Sequence, residues 1–264
     1  MAELIAVVMV LIVAFYGKGN TGNDRRSDGS LQKVLDAGQL VLGLDANFPP
    51  LSFTDSTGEI VGFDPDMFRV LCNRLGVRLV TRPVHWGHKQ DALDEGTIDC
   101  IGSVSLQSPS ARGMAMSEVY IKEDLVFMVP GNSRIMSVRD LKGKRIGVQN
   151  GASMQTAINR SVISKDVIFS VYDDNLEVLR QLKEGKLDAG LVDGTVAYYF
   201  MDASPERYFV LGDTLGEDEL AIGFRKGDID LRDKVQEVLS GMRFDGTLAV
   251  ISKKWFGIDV TTIR

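Results

Sequence analysis

The segment Leu93-Asp-Glu-Gly-Thr-Ile-Asp-Cys-Ile101 has a counterpart later in the chain, Leu182-Lys-Glu-Gly-Lys-Leu-Asp-Ala-Gly-Leu191. In each copy the pattern predicts the end of a helix, a glycine that stops it, and a strand that opens on an aspartate, Asp99 or Asp188. A unit that is repeated once indicates two similarly built α/β lobes rather than one continuous sheet. Two lobes with a cleft between them are typical of a protein that closes around a ligand.

The composition is that of a globular protein and argues against several classes of function. The chain has 264 residues, is 25% charged and carries a net charge of −6. Because phosphate contacts require a basic surface, we expect no nucleic-acid partner. The chain has two histidines and two cysteines without a CxxC or HExxH pattern, so we expect neither a metal nor a cofactor. Cys72 and Cys100 could pair as a disulfide in an oxidising compartment or remain two buried thiols.

The N-terminal region is informative about location. Leu4 to Tyr16 is a continuous apolar run of 13 residues, and the polar, glycine-rich stretch Gly17 to Gly29 follows it. Such a run is too short to span a bilayer as a helix but has the length of a signal-peptide core. Glu3 stands where a positive residue is expected, and no cleavage or lipid-attachment motif follows. We therefore predict a signal-like segment plus flexible linker over residues 1–30 and an exported protein, periplasmic or associated with the cell surface. An uncleaved N-terminal tether or a mis-assigned start are the alternatives.

Hydrophobic periodicity in the remaining chain alternates between strands and helices. Residues 40–44 form an apolar run that predicts a buried strand. The next helical pattern is predicted to be capped by Asp64 and stopped by Gly76. In the second half, Asn175 is predicted to cap a helix that ends at Gly185. This alternation predicts parallel strands covered by helices.

Five short motifs occur in a fixed order and together carry a family resemblance. They are Asp45-Ala-Asn-Phe-Pro-Pro50, Gly62-Phe-Asp-Pro-Asp66, Leu141-Lys-Gly-Lys-Arg-Ile-Gly-Val-Gln149, Leu191-Val-Asp193, and Asp245-Gly-Thr-Leu with Lys254-Trp-Phe-Gly257. In this combination the chain resembles the extracellular solute-binding proteins of the polar amino-acid class, which are the receptors of ABC importers. The resemblance covers roughly residues 31–258. It implies a type II periplasmic-binding fold, that is, two α/β lobes with a ligand cleft between them.

The resemblance also implies how the lobes are divided and what they do. Lobe 1 would comprise residues 31–126 and 219–264, and lobe 2 residues 127–218. The chain would cross between them near Leu125–Val129 and Gly216–Ala221. Hinge closure would capture a small polar solute, an amino acid or a derivative, for delivery to an ABC permease in the membrane. The resemblance further implies a monomer without catalytic residues.

Polar ligand contacts are assigned by the same resemblance. Asp193 would bind the ligand ammonium, and the helix start at Gly151-Ala-Ser153 would present N–H groups and a hydroxyl to the carboxylate. Ser103 and Ser105 would offer N–H and O–H groups from lobe 1. The alternatives are that Asp193 is a solvated loop acid or a helix cap, and that Ser153 merely caps its helix.

Aromatic and charged residues would enclose the ligand side chain. Phe48 matches a stacking position and Trp86 a wall of the pocket, although either could be ordinary core. Asp45 matches a position that contacts basic ligand side chains, or it caps the turn beside Asn47.

The family's carboxylate-binding arginine is missing from its expected position, which Ser110 occupies. An arginine there would grip a carboxylate through two parallel hydrogen bonds. Arg112, two residues later, is the candidate replacement. Otherwise the ligand lacks the usual carboxylate, or the affinity is reduced.

Two other functions are possible on the same fold. A cyclohexadienyl-dehydratase-like enzyme needs a general acid in the cleft. Such relatives carry a carboxylate just after the lobe 2 aspartate, where this chain has Gly194-Thr-Val196. A tethered ligand sensor is the third interpretation, because the N-terminal region leaves it open.

Overall fold

The computed structural model describes residues 27–150, 153–160, 167–204 and 207–262. Its α-helices are α1 (Ser30–Ala37), α2 (Phe63–Leu75), α3 (Lys89–Asp94), α4 (Ser153–Arg160), α5 (Asn175–Lys183), α6 (Gly194–Ala203), α7 (Ile229–Phe244) and α8 (Thr247–Phe256). Its strands are β1 (Gln39–Leu44), β2 (Asn47–Phe48), β3 (Ser52–Thr54), β4 (Ile60–Val61), β5 (Arg78–Pro83), β6 (Cys100–Ser105), β7 (Met114–Met116), β8 (Ile121–Pro130), β9 (Arg145–Gln149), β10 (Ile168–Tyr172), β11 (Ala189–Asp193) and β12 (Tyr208–Arg225). The signal-like run Leu4–Tyr16 lies outside the described residues. None of the helices within them is long and apolar enough to cross a membrane.

A mixed sheet of nine strands runs through the molecule. The strand order is β10-β9-β11-β8-β12-β6-β1-β5, with β7 paired to β12. Strands β9, β10 and β11 are mutually parallel on one side, and β1, β5 and β6 are parallel on the other. The two predicted α/β halves are therefore present. The expectation that their sheets are separate is wrong, because hydrogen bonding continues from one half to the other through β8 and β12.

Strands β8 and β12 join the two halves as an antiparallel pair. The lobe boundaries expected at 126/127 and 218/219 fall inside these strands rather than in loops. The register of the pair shifts between Val210 and Thr214 and again between Thr214 and Gly216. Such irregularities bend and twist a strand pair locally. The shifts therefore place local irregularities in the strand pair that joins the halves.

The repeated segments occupy equivalent places in the two halves. Asp99 accepts a hydrogen bond from the backbone N–H of Val41 at 2.8 Å, and Asp188 accepts one from the N–H of Arg145 at 2.9 Å. Each aspartate thus ties its own strand to the neighbouring parallel strand, which accounts for the repetition. Strand β6 pairs with β12 and β11 pairs with β8. From the antiparallel order of these four strands, the carboxyl ends of β6 and β11 point toward each other.

Helix α2 begins differently from the prediction. Its N-cap is Gly62, which has a φ of 139° and sits where a Cβ atom would collide with the carbonyl oxygen of Leu51. Asp64 does not cap the helix. It is buried and accepts hydrogen bonds from Ser103 Oγ at 2.6 Å and Tyr120 Oη at 2.8 Å. The side chain of Asp64 thus serves as the acceptor of two buried hydroxyl groups instead of capping α2.

The main hydrophobic cluster packs α2 against β1. Its buried members include Leu40, Leu42, Phe63, Met67, Leu71, Cys72 and Cys100. The two cysteines are free thiols, so the disulfide alternative is wrong. Burial raises the pKa of Cys72 to about 12 and that of Cys100 well above its usual value.

Candidate functional site

A chain of buried hydrogen bonds crosses from one half of the molecule to the other. Nε2 of Gln149, the last residue of β9, donates to the carboxylate of Asp45, which follows β1, at 2.6 Å. Nδ2 of Asn175 lies 3.0 Å from Oε1 of Gln149 and 3.3 Å from Oδ2 of Asp193. The chain therefore links residues at the carboxyl ends of β1, β9 and β11. Open α/β sheets bind ligands at the carboxyl ends of their strands, and here such ends from the two halves face each other.

Further contacts join the two halves in the same region. Nδ2 of Asn47 donates to Asp174 at 3.0 Å. The ring centroids of Phe53 and Tyr199 are 5.8 Å apart. Together with the Asp45–Gln149 bond, these contacts hold the halves in a closed arrangement.

Asp193 ends β11 and occupies the N-cap position of α6, yet its side chain makes no capping hydrogen bond. The helix-cap alternative is therefore wrong, and so is the solvated-acid alternative, since only 4% of the residue is exposed. Burial raises the pKa of Asp193 well above its usual value, and repulsion from Glu123 and Asp218 adds to this effect. A positively charged group placed beside Asp193 would counter both effects and stabilise its ionised form.

Glu123 and Asp218 were not predicted from the sequence. These residues lie directly opposite each other on β8 and β12, and both are buried. Thr195 donates its N–H and its hydroxyl to Oε2 of Glu123 at 3.2 and 2.6 Å. Ser105 Oγ donates to Oδ1 of Asp218 at 2.6 Å. In the sequence both acids stand among other charged residues, and only the pairing of the strands reveals them.

The two serines of β6 have different surroundings from those expected. The N–H of Ser103 donates to Tyr120 Oη at 2.8 Å, and its Oγ donates to Asp64. The expectation that both groups are offered to a ligand is therefore wrong, because the buried Asp64 network uses them. The Oγ of Ser105 joins the site through Asp218.

Asp45 has a buried lysine as a neighbour, which the sequence reasoning also missed. Nζ of Lys89 donates to the carbonyl oxygen of Trp86 at 3.0 Å and lies 4.6 Å from the centroid of the Trp86 ring. Burial raises the pKa of Asp45 to about 6 and lowers that of Lys89 to about 8, while their mutual attraction opposes both shifts. Asp45 also accepts the N–H of Asn47 at 2.9 Å, so it caps its turn as well.

The remaining predicted residues are placed as follows. Phe48 and Trp86 are buried. Arg112 is exposed in the 3₁₀ turn Pro109–Gly113, and it has no hydrogen-bond or ion-pair partner among the described residues. Ser153 is the first residue of α4, and the preceding residues 151–152 lie outside the described ranges.

Because the pKa values of several buried acids are raised, we expect the unliganded protein to be most stable at mildly acidic pH. The pKa is raised by burial from 3.8 to about 6 in Asp45 and Asp64, and from 4.5 to about 7 in Glu123. These groups bind protons more tightly when folded, so their stabilising contribution is complete below about pH 4 and is lost as the pH rises toward about 7. Asp245 has the opposite effect on stability, because hydrogen bonds from Thr247 and Arg74 lower its pKa to about 2. Its stabilising contribution is therefore lost as the pH falls below about 4.

We therefore expect the melting temperature to peak near pH 4 to 5 and to fall by several degrees by about pH 7.5. Differential scanning fluorimetry over a pH series at constant ionic strength measures this. A melting temperature that rises steadily over the same interval would contradict the expectation.

The similarity of this chain to known proteins extends over nearly its whole length. The family model described as bacterial extracellular solute-binding proteins, family 3, matches residues 40–258. The L-cystine-binding protein TcyJ of Escherichia coli (strain K12) is 32% identical over 98% of this chain and 96% of its own length.

Two solved structures are similar in fold. The substrate-binding protein of an ABC uptake transporter from Streptococcus pneumoniae, with bound histidine, has a TM-score of 0.84 and 30% identity, covering 90% of this chain and 100% of that one. An ancestral amino-acid-binding protein, described as a precursor of cyclohexadienyl dehydratase, has a TM-score of 0.78 and 27% identity, covering 86% of this chain and 99% of that one. The predicted type II periplasmic-binding fold is confirmed. With its two α/β halves and the match over residues 40–258, this chain belongs to the bacterial extracellular solute-binding proteins of family 3.

Proposed function

We propose that this protein is the substrate-binding component of an ABC importer, capturing an amino acid or a close derivative and delivering it to a membrane permease. Lobe 1 (31–126 and 219–264) and lobe 2 (127–218) close on the ligand. The observation that carries the proposal is the buried hydrogen-bond chain Asp45–Gln149–Asn175–Asp193, which spans both lobes. Its carboxylate and amide side chains are suited to binding a polar ligand. The names of TcyJ and of the histidine-bound structure, which refer to amino acids, support the same class of ligand.

The ligand's ammonium would bind Asp193, and its carboxylate would face the start of α4 at Ser153, where backbone N–H groups carry partial positive charge. Phe48 and Trp86 would enclose the side chain. Ser110 replaces the family's arginine and Arg112 is exposed, so Lys89, a buried cation beside Asp45, is the better candidate to offset the ligand's negative charge.

The proposed role is non-catalytic, in a monomer that is exported to the periplasm or the cell surface. The residues after Asp193 are Gly194, Thr195 and Val196, none of which can act as the general acid that a dehydratase requires. Both the cystine- and histidine-binding relatives are named as binding proteins.

A thermal-shift screen against the proteinogenic amino acids and L-cystine tests the proposal. At 100 times its Kd, a ligand should stabilise the protein by about 2.7 kcal/mol. For a chain of this size that corresponds to a rise in melting temperature of roughly 5–10 °C. Failure of every amino acid to bind, or turnover of prephenate by the purified protein, would overturn the proposal.

The variant Gln149→Leu tests whether the cross-lobe hydrogen-bond chain contributes to ligand binding. Gln149→Leu cannot bridge Asp45 and Asn175, so we expect it to fold and to bind the same ligand at least about 10-fold more weakly, by loss of one charge-assisted hydrogen bond. Gln32→Leu, on the exposed face of α1, is the matched control and should bind normally. Isothermal titration calorimetry gives both values of Kd. Equal affinities would show that the cross-lobe chain is not part of the site.

A further inference from the structure

A cavity of about 750 Å³ lies between the two halves of the molecule, and we call it the α6 cavity. Its walls come mainly from α6 in one half, from the end of α8 and the residues after it in the other, and from the start of β8. None of the four residues of the hydrogen-bond chain Asp45–Gln149–Asn175–Asp193 lines it. Sites for small molecules typically measure about 300–1,000 Å³, so the α6 cavity has the size of a binding site that is separate from that chain.

Helix α6 presents one continuous face to this cavity. The lining residues of the helix include Thr195, Tyr198, Tyr199 and Asp202. Their spacing of i, i+3, i+4 and i+7 places them on the same side of a helix. Thr195, at one end of this face, holds the carboxylate of Glu123 through its N–H and its hydroxyl. Asp202 lies at the other end, and a helix rises about 10 Å over that interval. The face therefore has a carboxylate at each end and two tyrosines between them.

The carboxylate at the Thr195 end has an acceptor atom without a donor. Glu123 is only 8% exposed. Its Oε2 accepts both bonds from Thr195, whereas its Oε1 is buried and accepts no hydrogen bond from the described part of the chain. A buried acceptor in this condition is costly and indicates that the donor comes from elsewhere. Because Glu123 also lines the α6 cavity, a molecule bound there can supply the donor.

The charged groups that line the α6 cavity favour a cation. Asp124 and Asp202 line it together with Glu123, and both are exposed. Lys122 lines it as well, but its Nζ pairs with Glu219 at 2.7 Å. Three carboxyl groups therefore face one lysine whose charge is already offset, and a surface of this kind attracts positive charge. No three acidic, histidine or cysteine side chains among the described residues are arranged to hold a metal ion, so an organic cation is the better match.

Aromatic rings form a row beside the two carboxylates. Phe53 of β3 lies between Tyr199 and Trp255, with ring centroids 5.8 and 6.0 Å from its own. The indole N–H of Trp255 donates to Asp66 at 2.9 Å, which fixes the orientation of the ring. Lys254 lies over the same indole and pairs with Asp66, so its charge is offset. Aromatic faces attract cations and pack against methylene groups, which suits them to a cation with an aliphatic body.

We propose that the α6 cavity is a second binding site, which takes an aliphatic diammonium compound such as a short polyamine. One ammonium group donates to Oε1 of Glu123, the methylene chain packs along Tyr198 and Tyr199, and the second ammonium group reaches Asp202. A quaternary ammonium does not fit, because it has no N–H to donate to Oε1. The site is separate from the proposed amino-acid site, and the inference does not depend on that function.

Isothermal titration calorimetry with putrescine as the probe, at about pH 8, tests the site. This pH lies above the value of about 7 to which burial raises the pKa of Glu123, so the carboxylate is ionised. We expect saturable binding at one site per chain. The analogue n-butylamine has one ammonium group and lacks the contact with Asp202, so it should bind about 5-fold more weakly. The uncharged analogue 1,4-butanediol should not bind.

Variants at the two ends of the α6 face give the sharper test. Glu123→Gln keeps an amide oxygen that can accept from Thr195, and it should raise the Kd for putrescine about 10-fold or more, by loss of a charge-assisted hydrogen bond. Asp202→Asn removes an exposed charge and should raise the Kd about 3-fold to 5-fold. Glu95→Gln, an exposed acid that does not line the cavity, is the matched control and should bind as the wild type does. If Glu123→Gln folds poorly, the exposed Asp202→Asn still decides the question.

Three results would overturn the second site: no saturable binding of putrescine, equal affinities for putrescine and n-butylamine, or an unchanged Kd in Asp202→Asn. Gln149→Leu shows where the probe binds, and it should leave the Kd for putrescine unchanged. Weaker binding in Gln149→Leu without an effect of Asp202→Asn would place putrescine in the proposed amino-acid site and also overturn the inference. The screen against amino acids is a separate measurement, so failure of either proposal leaves the other intact.

Discussion

Asp193→Asn should abolish ligand-induced stabilisation while leaving the unliganded protein folded and at least as stable as the wild type. The buried carboxylate is the proposed partner of the ligand ammonium, and removing one partner of a buried charge pair costs about 2–5 kcal/mol. The affinity should therefore fall by about 30-fold or more. In the unliganded protein the same change removes a buried charge that is repelled by Glu123 and Asp218, so its stability should not decrease. Calorimetry and thermal unfolding measure the two effects.

The matched control is Asp188→Asn, immediately before β11, the strand that Asp193 ends. Asp188 accepts hydrogen bonds from the N–H and the guanidinium of Arg145, which lower its pKa. Its replacement should therefore lower stability and leave the ligand affinity unchanged. If Asp188→Asn weakened binding as much as Asp193→Asn, the effect would be a general one on lobe 2, and Asp193 would lose its assigned role.

Asp64→Leu should produce the largest loss of stability among the polar positions discussed. The leucine cannot accept the hydrogen bonds of Ser103 and Tyr120, and two buried hydroxyl groups would lose their acceptor. An unsatisfied buried group costs about 1–3 kcal/mol, so we expect a loss of roughly 2–6 kcal/mol. The melting temperature should fall by about 5–20 °C. Urea denaturation measured by circular dichroism gives the free energy of unfolding directly.

Asp64→Asn is the companion variant. Its side-chain oxygen remains an acceptor, and the hydroxyl groups can reorient toward its amide, so it should lose less than half as much stability as Asp64→Leu. If the leucine variant were as stable as the wild type, the Asp64 network would contribute nothing to the fold. Ser103 would then be held in its left-handed conformation, with a φ of 53°, by its neighbours on β6 alone.

The repeated segments made the two similar α/β halves predictable. A helix end, a glycine and an aspartate that ties two parallel strands together are local requirements, so both copies preserve them in the sequence. The continuity of the sheet was not predictable in this way. It depends on the pairing of β8 with β12, whose residues are far apart in the chain and whose register is irregular.

The position of a candidate site residue in the fold was predictable where it lies at the end of a strand, and was missed where it depends on a distant partner. The sequence placed Asp45 just after the buried strand β1 and Asp193 at the end of β11, and the structure has them there. Glu123 and Asp218 could not be placed in this way, because their opposition exists only once β8 pairs with β12.

The prediction for Asn175 failed by one residue. Asp174 caps α5 by accepting the N–H of Glu177 at 2.8 Å, which leaves the side chain of Asn175 to join the site. Asn and Asp are nearly equivalent as caps, so the sequence alone does not separate them.

The two unpaired cysteines make the molecule convenient for spectroscopy. Cys72 and Cys100 are almost completely buried and their burial disfavours the thiolate, so maleimide reagents should not modify them in the native protein. Fluorophores can then be attached through cysteines introduced at exposed positions such as Gln32 in one lobe and Lys183 in the other, and energy transfer between them would follow opening and closing. Slow alkylation of the native pair would register a different event, the transient unfolding of the α2–β1 core.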